Sequence, residues 1–226
     1  FSQNTIGLIQ YKNNTSEGYT LFSPETNFSV YLINNCGEVV NEWVFAEKPG
    51  ATCYLLNDGH LLRAGKDSLQ IRDWNNNIVW TYAMNANGLF QHHDIEPLPN
   101  GNVLMIAWEK ISQQDAIDAG RNPLLVGGSG LWPDHIIEYN PGLGNIVWEW
   151  HAWDHLIQDF DNTKTNFGVV KDHPELLDFN FLNDDLGNAN WLHINSMQYN
   201  ADLDQIILSS RILSEIYIID HYTTTA

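Results

Sequence analysis

The chain has 226 residues, of which 43% are hydrophobic and 17% charged, so it has enough apolar material for a substantial core. Acidic residues outnumber basic ones by 28 to 10, and the resulting net charge of −18 repels nucleic acid and anionic membrane surfaces. Apolar runs such as Ile216–Ile219 are far shorter than the roughly 20 residues of a membrane helix. We therefore expect no nucleic-acid partner and no membrane span.

The first predicted strands lie in residues 18–44 and are followed by another strand pair from about residue 51. Cys36 and Cys53 fall on neighbouring predicted strands. This placement permits a disulfide, but pairing cannot be deduced from sequence, and two free buried thiols are an equally good interpretation.

A hairpin pattern is repeated along the chain. Residues Tyr54–Leu62 and Glu96–Leu104 each contain an apolar strand, an Asp-Gly or Asn-Gly turn and a second strand. A second hairpin follows in each copy, so that a copy supplies four strands. Gly59 and Gly101 are 42 residues apart, which is the period of a four-stranded blade. The sequence therefore predicts an all-β fold, a β-propeller of four-stranded antiparallel blades.

The repeat also predicts where the blades lie. Residues 18–44 supply strands of the first blade, 51–82 form the second, 92–150 form the third, and the fourth starts near His193. Insertions at about 110–133 and 151–190 are expected to cap a face or shape a pocket. We expect a single propeller domain over residues 1–226, with about three and a half blades and an incomplete C-terminal end. The missing half is expected in further sequence or in a companion chain.

Large aromatic residues recur in the last strand of successive copies, where blades pack on one another. We predict that these residues are structural: Trp43, Trp80, Trp148 and Trp150.

Histidines occur at matching places of two blades. His92 and His93 begin one inner strand, and His193 begins the corresponding strand of the next blade. Successive side chains of a strand point to opposite faces, so His92 and His93 cannot both face the channel. If Asp94 corresponds to Asn195, His92 corresponds to His193 and is its favoured partner. A β-bulge would invert this register and bring His93 there instead, so both arrangements stay open.

These residues form an unusual set of hydrogen-bond donors. Arg211 closes the strand that is hairpinned to His193, and Asn195 lies two residues beyond that histidine. Imidazole, amide and guanidinium groups suit a sulfuryl or phosphoryl group, whose oxygens need several donors. We predict His193 and Arg211 as catalytic residues, and His92, His93 and Asn195 as substrate-binding residues. Taken singly, a histidine at the start of a strand is more often a hydrogen-bonded packing residue than a catalyst, and the functional interpretation rests on the equivalent positions taken together with Arg211.

Compact His-x-His or Cys/His spacing is missing, so neither a metal nor any other cofactor is predicted. Two weaker alternatives stay open: a metal held by His92, His93, Asp94 and His193, and a calcium loop at Asp159, Asp161 and Thr163, whose sixth position is Lys164 instead of glycine. The remaining histidines without a repeat partner are predicted as surface loop residues: His135, His151, His155 and His173.

Several segments resemble bacterial PAPS-independent arylsulfotransferases: Gly18–Phe22, Tyr31–Asn34, His92–Asp94, Asp154–Phe160, His173–Leu176, Trp191–Ser196 and Ser209–Arg211. The resemblance covers nearly the whole chain. It implies a six-bladed propeller, usually periplasmic or secreted, that moves a sulfuryl group from a phenolic sulfate ester to a phenol acceptor through a sulfohistidine. It also implies that His92 or His93, His193, Asn195 and Arg211 bind and polarise the sulfate.

The sequence departs from this family in one respect. The family's nucleophilic histidine lies in a later blade, beyond the equivalent of Arg211, and His221 comes too early to match it. The fragment alone is therefore expected to be inactive. The alternative is a noncatalytic secreted propeller that acts as a binding, adhesive or assembly module, and a homo-oligomer stays open under both hypotheses.

Overall fold

The computed structural model describes residues 10, 12, 14–84, 88–181 and 187–223. The chain is built almost entirely of strands, and the larger sheets are antiparallel with their strands in chain order. This confirms the predicted all-β class, whereas the number of blades stays a prediction. No helix within the described ranges is long and apolar enough to cross a membrane. The chain divides into two compact units, residues 1–87 and 88–226.

The first unit contains two antiparallel sheets. Its described residues form seven strands: β1 (Tyr19–Phe22), β2 (Ser29–Asn34), β3 (Val39–Val44), β4 (Pro49–Leu55), β5 (Leu61–Gly65), β6 (Ser68–Arg72) and β7 (Ile78–Ala83). Strands β1 to β3 form one sheet and β4 to β7 the other. The buried core of this unit includes Val30, Leu32, Trp43, Phe45 and Leu61. Trp43 is fully buried and its indole N–H donates to the carbonyl of Asp73 at 2.8 Å, as expected of a structural tryptophan.

The two cysteines are free thiols, so the disulfide considered above is not formed. Cys36 is exposed because it lies in the turn between β2 and β3, and Cys53 is half-buried within β4. Burial raises the pKa of the Cys53 thiol to about 11, which keeps it protonated and unreactive at neutral pH.

The second unit begins with a four-stranded sheet made of β8 (Phe90–Pro97), β9 (Val103–Trp108), β10 (Asp134–Asn140) and β11 (Asn145–His151). Its first hairpin repeats the turn between β4 and β5. Gly59 and Gly101 both have a φ of 86°, and in each turn the N–H of Leu56 or Leu98 donates to the carbonyl four residues later, at 2.8 and 2.9 Å. The repeated hairpin predicted from sequence is therefore confirmed in its geometry.

The two insertions contain short elements: the helix α1 (Gln113–Asp118) and the parallel pair β12 (Leu156–Ile157) and β13 (Leu177–Asp178). They bind each other through polar contacts. The side chain of Asn180 accepts from the N–H of Asn122 at 2.7 Å and donates to the carbonyl of Gly120 at 3.0 Å. Asn166 donates in the same way to the carbonyl of Ala119 at 3.0 Å. The two insertions are therefore joined by hydrogen bonds, a relationship that their separate sequences do not reveal.

The last sheet contains β14 (Ile194–Asn200), β15 (Gln205–Ser210) and β16 (Glu215–Asp220). Strand β14 lies beside β8: the Asp94 carboxylate accepts from the N–H of Met197 at 3.0 Å, and Gln198 donates to Glu96 at 2.8 Å. An apolar cluster beneath these strands and the insertions includes Leu104, Ile106, Phe179, Trp191 and Ile206. This packing fixes the starts of β8 and β14 next to each other, where the predicted histidines lie.

Candidate functional site

A histidine in the left-handed backbone conformation lies within β8, at His93, and another lies directly before β14, at His193. The φ of His93 is 53° and that of His193 is 51°. The pairing of β8 with β9 is irregular between Gln91 and Ile95, and β14 shows a similar shift directly after Ile194. Irregularities of this kind rotate side chains away from strict alternation. The structure therefore contains the bulge that the sequence left open.

His93 and His193 face each other across these two strands. Their ring centroids are 4.7 Å apart and their planes are inclined by 63°. The favoured pairing of His92 with His193, which assumed that Asp94 matches Asn195, is thus replaced by the pairing of His93 with His193. The physical reason is that the bulge in β8 turns the His93 ring toward β14.

His92 lies behind this pair as a buried support. Its ring stacks on Trp108 with centroids 4.0 Å apart, and the residue is only 8% exposed. Its Nδ1 lies 2.9 Å from the Nδ1 of His93, so one ring donates and the other accepts. Burial lowers the pKa of His92 to about 3, which keeps the ring neutral at neutral pH. His92 therefore positions His93 and has little surface of its own for a substrate.

Asp134 belongs to the same cluster and was missed by the sequence analysis. This first residue of β10 is completely buried, and its Oδ1 lies 3.0 Å from Nε2 of His92, although the two atoms are not aligned for a hydrogen bond. Its Oδ2 accepts from the N–H of Ile194 at 3.3 Å, next to His193. Burial raises the pKa of Asp134 well above its ordinary value. A carboxylate at the start of an apolar strand was the available signal.

Asn190 determines the tautomer of His193. Its side-chain amide donates to the Nδ1 of His193 at 2.8 Å, so the proton of the neutral ring lies on Nε2. Burial, and then the nearby His93 and Arg211, lower the pKa of His193. Burial followed by His92 likewise lowers the pKa of His93, against smaller opposing effects of Asp134 and Asp94. The facing rings are therefore neutral at pH 7, and His193 can present an N–H to an oxygen atom.

Arg211 is next to this pair in the structure. Its backbone N–H donates to the carbonyl of His193 at 3.1 Å, its exposed guanidinium is free to reach solvent, and its charge acts on both His93 and His193. Asn195 is exposed on β14, two residues beyond His193. Three of the predicted residues, His93, His193 and Arg211, thus lie close together. Their hydrogen-bond donors can attract an anion locally, although the chain as a whole has a net charge of −18.

Two of the histidines expected in surface loops lie elsewhere, so that prediction is wrong for them. His135 is in β10 and only 5% exposed, and His151 ends β11 as its cross-strand partner. His155 stacks on Trp150 with centroids 5.0 Å apart, whereas His173 is exposed and pairs with Glu175.

The cluster of potential metal ligands found in the structure lies at neither of the two sites that the sequence left open. Within the described ranges, the residues that bring three ligand atoms within 4.8 Å of one another are Glu109, His135 and His151. In the loop compared with a calcium site, Asp161 instead accepts from the hydroxyl of Thr163 at 2.6 Å.

Comparison with known proteins identifies the class of this all-β chain. Residues 12–226 match the arylsulfotransferase (ASST) family, and the chain belongs to this family. No curated protein matches the sequence. Among solved structures, the chain is similar to a protein of unknown function from Bacteroides caccae, with 12% identity, a TM-score of 0.46, and coverage of 92% of this chain and 60% of that one.

A second similar structure is BBS1N in complex with ARL6DN, with 12% identity, a TM-score of 0.41, and coverage of 92% of this chain and 50% of that one. The chain therefore spans only 50 to 60% of the length of these two structures.

Proposed function

We propose that this chain is the substrate-holding part of an aryl-sulfate sulfotransferase, which transfers a sulfuryl group from a phenolic sulfate ester to a phenol acceptor through a histidine intermediate. Membership of the arylsulfotransferase family supports the reaction class. The observation that carries the proposal is the meeting of His93 and His193, at a centroid distance of 4.7 Å, beside Arg211.

The donors at this place match the needs of a sulfate ester. The guanidinium of Arg211 offers several N–H groups in one plane, which suits two oxygens of a sulfuryl group. The Nε2–H of His193 can donate to a third oxygen, and the amide of Asn195 adds a further donor at the rim. Charge on these oxygens is stabilised during transfer because the donors are already in place.

The transfer proceeds in two balanced steps. In the first, a histidine nitrogen attacks the sulfur, an N–S bond forms, the S–O bond to the donor ring breaks, and the phenolate leaves and takes up a proton. In the second, the acceptor phenol loses its proton, its oxygen attacks the sulfur, and the N–S bond breaks. Each step needs the same stabilisation of the sulfuryl oxygens by His93, His193, Asn195 and Arg211.

We assign the nucleophilic histidine to a part of the protein that follows this chain, which is also expected to complete the propeller. His221 is a poor candidate because both of its ring nitrogens are engaged, with Asp204 at 2.8 Å and Glu138 at 2.7 Å. The proposed setting is the periplasm or the exterior of a bacterial cell.

The proposal is tested with the full-length protein, 4-nitrophenyl sulfate as donor and phenol as acceptor. Release of 4-nitrophenol is expected only when phenol is present. We expect His193→Ala and Arg211→Ala each to lower kcat/KM by about 100- to 1,000-fold, the usual effect of losing an oxyanion donor. His173→Ala is the matched control, because His173 is an exposed histidine that pairs with Glu175.

Unchanged turnover in His193→Ala and Arg211→Ala would refute this site. An absence of turnover in the full-length protein, with binding of the ester retained, would instead support a noncatalytic binding module.

A further inference from the structure

A second cluster of polar side chains lies in the sheet formed by β8 to β11. His135 on β10 and His151 on β11 are cross-strand partners, and their rings stack with centroids 4.0 Å apart. Glu109 Oε1 lies 2.9 Å from Nδ1 of His151, and Glu149 Oε2 lies 3.1 Å from Nε2 of His135. The same oxygen of Glu149 is 3.6 Å from Nε2 of His151. Two imidazoles are thus held between two carboxylates.

The geometry points to a divalent transition-metal site, of the kind that binds Zn²⁺, formed by Glu109, His135 and His151. One ligand atom from each of these residues lies within 4.8 Å of the other two. Zinc takes imidazole nitrogen and carboxylate oxygen at about 2.0–2.2 Å. At these bond lengths the ligand atoms of a tetrahedral site lie about 3.4 Å apart, so the three side chains would close around the ion by small rotations of each.

The ligand types select the metal. Two imidazoles and one carboxylate favour zinc and similar ions, whereas Mg²⁺ and Ca²⁺ prefer oxygen ligands alone. Three protein ligands leave a fourth position for water or another oxygen donor. Glu149 Oε2 lies 3.1 Å from Nε2 of His135 and 3.6 Å from Nε2 of His151. Carboxylates in this position commonly orient the imidazoles that bind a metal.

The position of this cluster separates it from the proposed substrate site. Trp108 and Asp134 are paired residues of β9 and β10, and they belong to the group around His92. His135 follows Asp134 in β10, and Glu109 directly follows Trp108 at the end of β9, where its N–H donates to the carbonyl of Pro133 at 2.9 Å. Alternation therefore places both residues on the opposite face. The two sites therefore lie back to back, and the metal site does not depend on the sulfotransferase proposal.

The test uses full-length protein without a histidine tag, stripped of metal with a chelator and titrated with Zn²⁺ or, separately, Mg²⁺ by calorimetry. We expect Glu109→Gln and His151→Ala each to remove one equivalent of bound Zn²⁺ or to weaken its binding at least tenfold. Glu149→Gln is expected to keep the site with affinity lowered about 10- to 100-fold. His173→Ala, a histidine paired with one carboxylate only, is the control that retains full binding.

A second readout is the visible absorption of Co²⁺ in the same position, which reports tetrahedral coordination and should disappear in His151→Ala. Glu109 and His151 are only partly buried, so their variants are expected to fold, and circular dichroism checks this. Equal Zn²⁺ stoichiometry and affinity in the wild type and in the folded Glu109→Gln/His151→Ala double variant would overturn the proposal. Equal affinity of the site for Mg²⁺ and Zn²⁺ would overturn it as well.

Discussion

His93 within β8 and His193 directly before β14 adopt the same left-handed backbone conformation, and their rings meet at a centroid distance of 4.7 Å. Non-glycine residues avoid this conformation because Cβ approaches the backbone too closely. Two histidines that share it, and contact each other, are therefore held there by the surrounding structure. Backbone strain of this kind is typical of functional sites.

The left-handed conformation gives a test that does not require a substrate. At position 93 or 193, replacement of histidine by glycine should leave a protein about 1 kcal/mol more stable than replacement by alanine, because glycine accepts a positive φ without strain. The measurement is urea unfolding of the four single variants. Equal stability of the glycine and alanine variants at both positions would contradict the observed backbone. His92 is the control position, where the buried side chain packs on Trp108 and alanine should be the better tolerated replacement.

The hydrogen bond from Asn190 to His193 predicts a tautomer effect. In Asn190→Asp the carboxylate accepts a hydrogen bond from Nδ1–H, which raises the pKa of His193 and leaves Nε2 of the neutral ring without a proton. We expect kcat/KM for the sulfate ester to fall at least tenfold, and the ¹⁵N shifts of the His193 ring to report the exchanged tautomer. Asn188→Asp is the matched control, since its side-chain oxygen accepts from the backbone N–H of Asn190 and a carboxylate preserves this contact. An unchanged tautomer in Asn190→Asp would refute the assignment.

The burial of His92 predicts a loss of stability in acid. Its pKa is about 3 in the folded protein against 6.5 for the free side chain, so only the unfolded chain takes up this proton as the pH falls from about 6.5 to about 3. Each unit of difference between the folded and unfolded pKa corresponds to about 1.4 kcal/mol in the free energy of unfolding. His92→Phe keeps a ring on Trp108 and cannot titrate, so the free energy of unfolding should fall less steeply with decreasing pH in the variant. Identical pH profiles would contradict the prediction.

His221 predicts the opposite dependence. Hydrogen bonds to Glu138 and Asp204 raise its pKa, and the ring also packs on Trp148. The charged form therefore adds stability that is complete below about pH 6.5 and is lost as the pH rises through the raised pKa.

The measurement for His221 is the free energy of unfolding at pH 6 and pH 8. His221→Gln should destabilise the protein by roughly 1–2 kcal/mol at pH 6 and by less at pH 8, since only the wild type loses this contribution. His173→Ala should change stability by well under 1 kcal/mol at both values, because its pair with Glu175 is exposed. A destabilisation by His221→Gln that is equal at both pH values would contradict this assignment.

The repeated hairpins could be predicted from the sequence because their signals are local. Asp58-Gly59 and Asn100-Gly101 need a positive φ at glycine, and both turns form with the same hydrogen bonds. The insertions could not be predicted in the same way. The contact of Asn122 with Asn180 joins residues 58 apart in sequence, and nothing local distinguishes these asparagines from other loop residues.

The candidate site was predicted in its residue types but not in its arrangement. Alternation assigns His92 and His93 to opposite faces, but it cannot locate a bulge, because bulges depend on the neighbouring strand. Asp134 was missed because a single carboxylate at the start of an apolar strand is a weak signal that belongs to no motif. The pairing of His135 with His151 depends on the register of β10 and β11, which follows from the fold and not from either residue alone.

Asp134 and His135 are consecutive residues of β10 that serve different clusters on opposite faces of one sheet. Deleting a single residue at the start of this strand would exchange their faces and dismantle both clusters at once. A deletion at the exposed turn residues Gly128 and Ser129, in the connection between β9 and β10, would leave the register of β10 unchanged. We therefore expect length variation in related proteins to be tolerated at this turn and to be eliminated directly after Pro133.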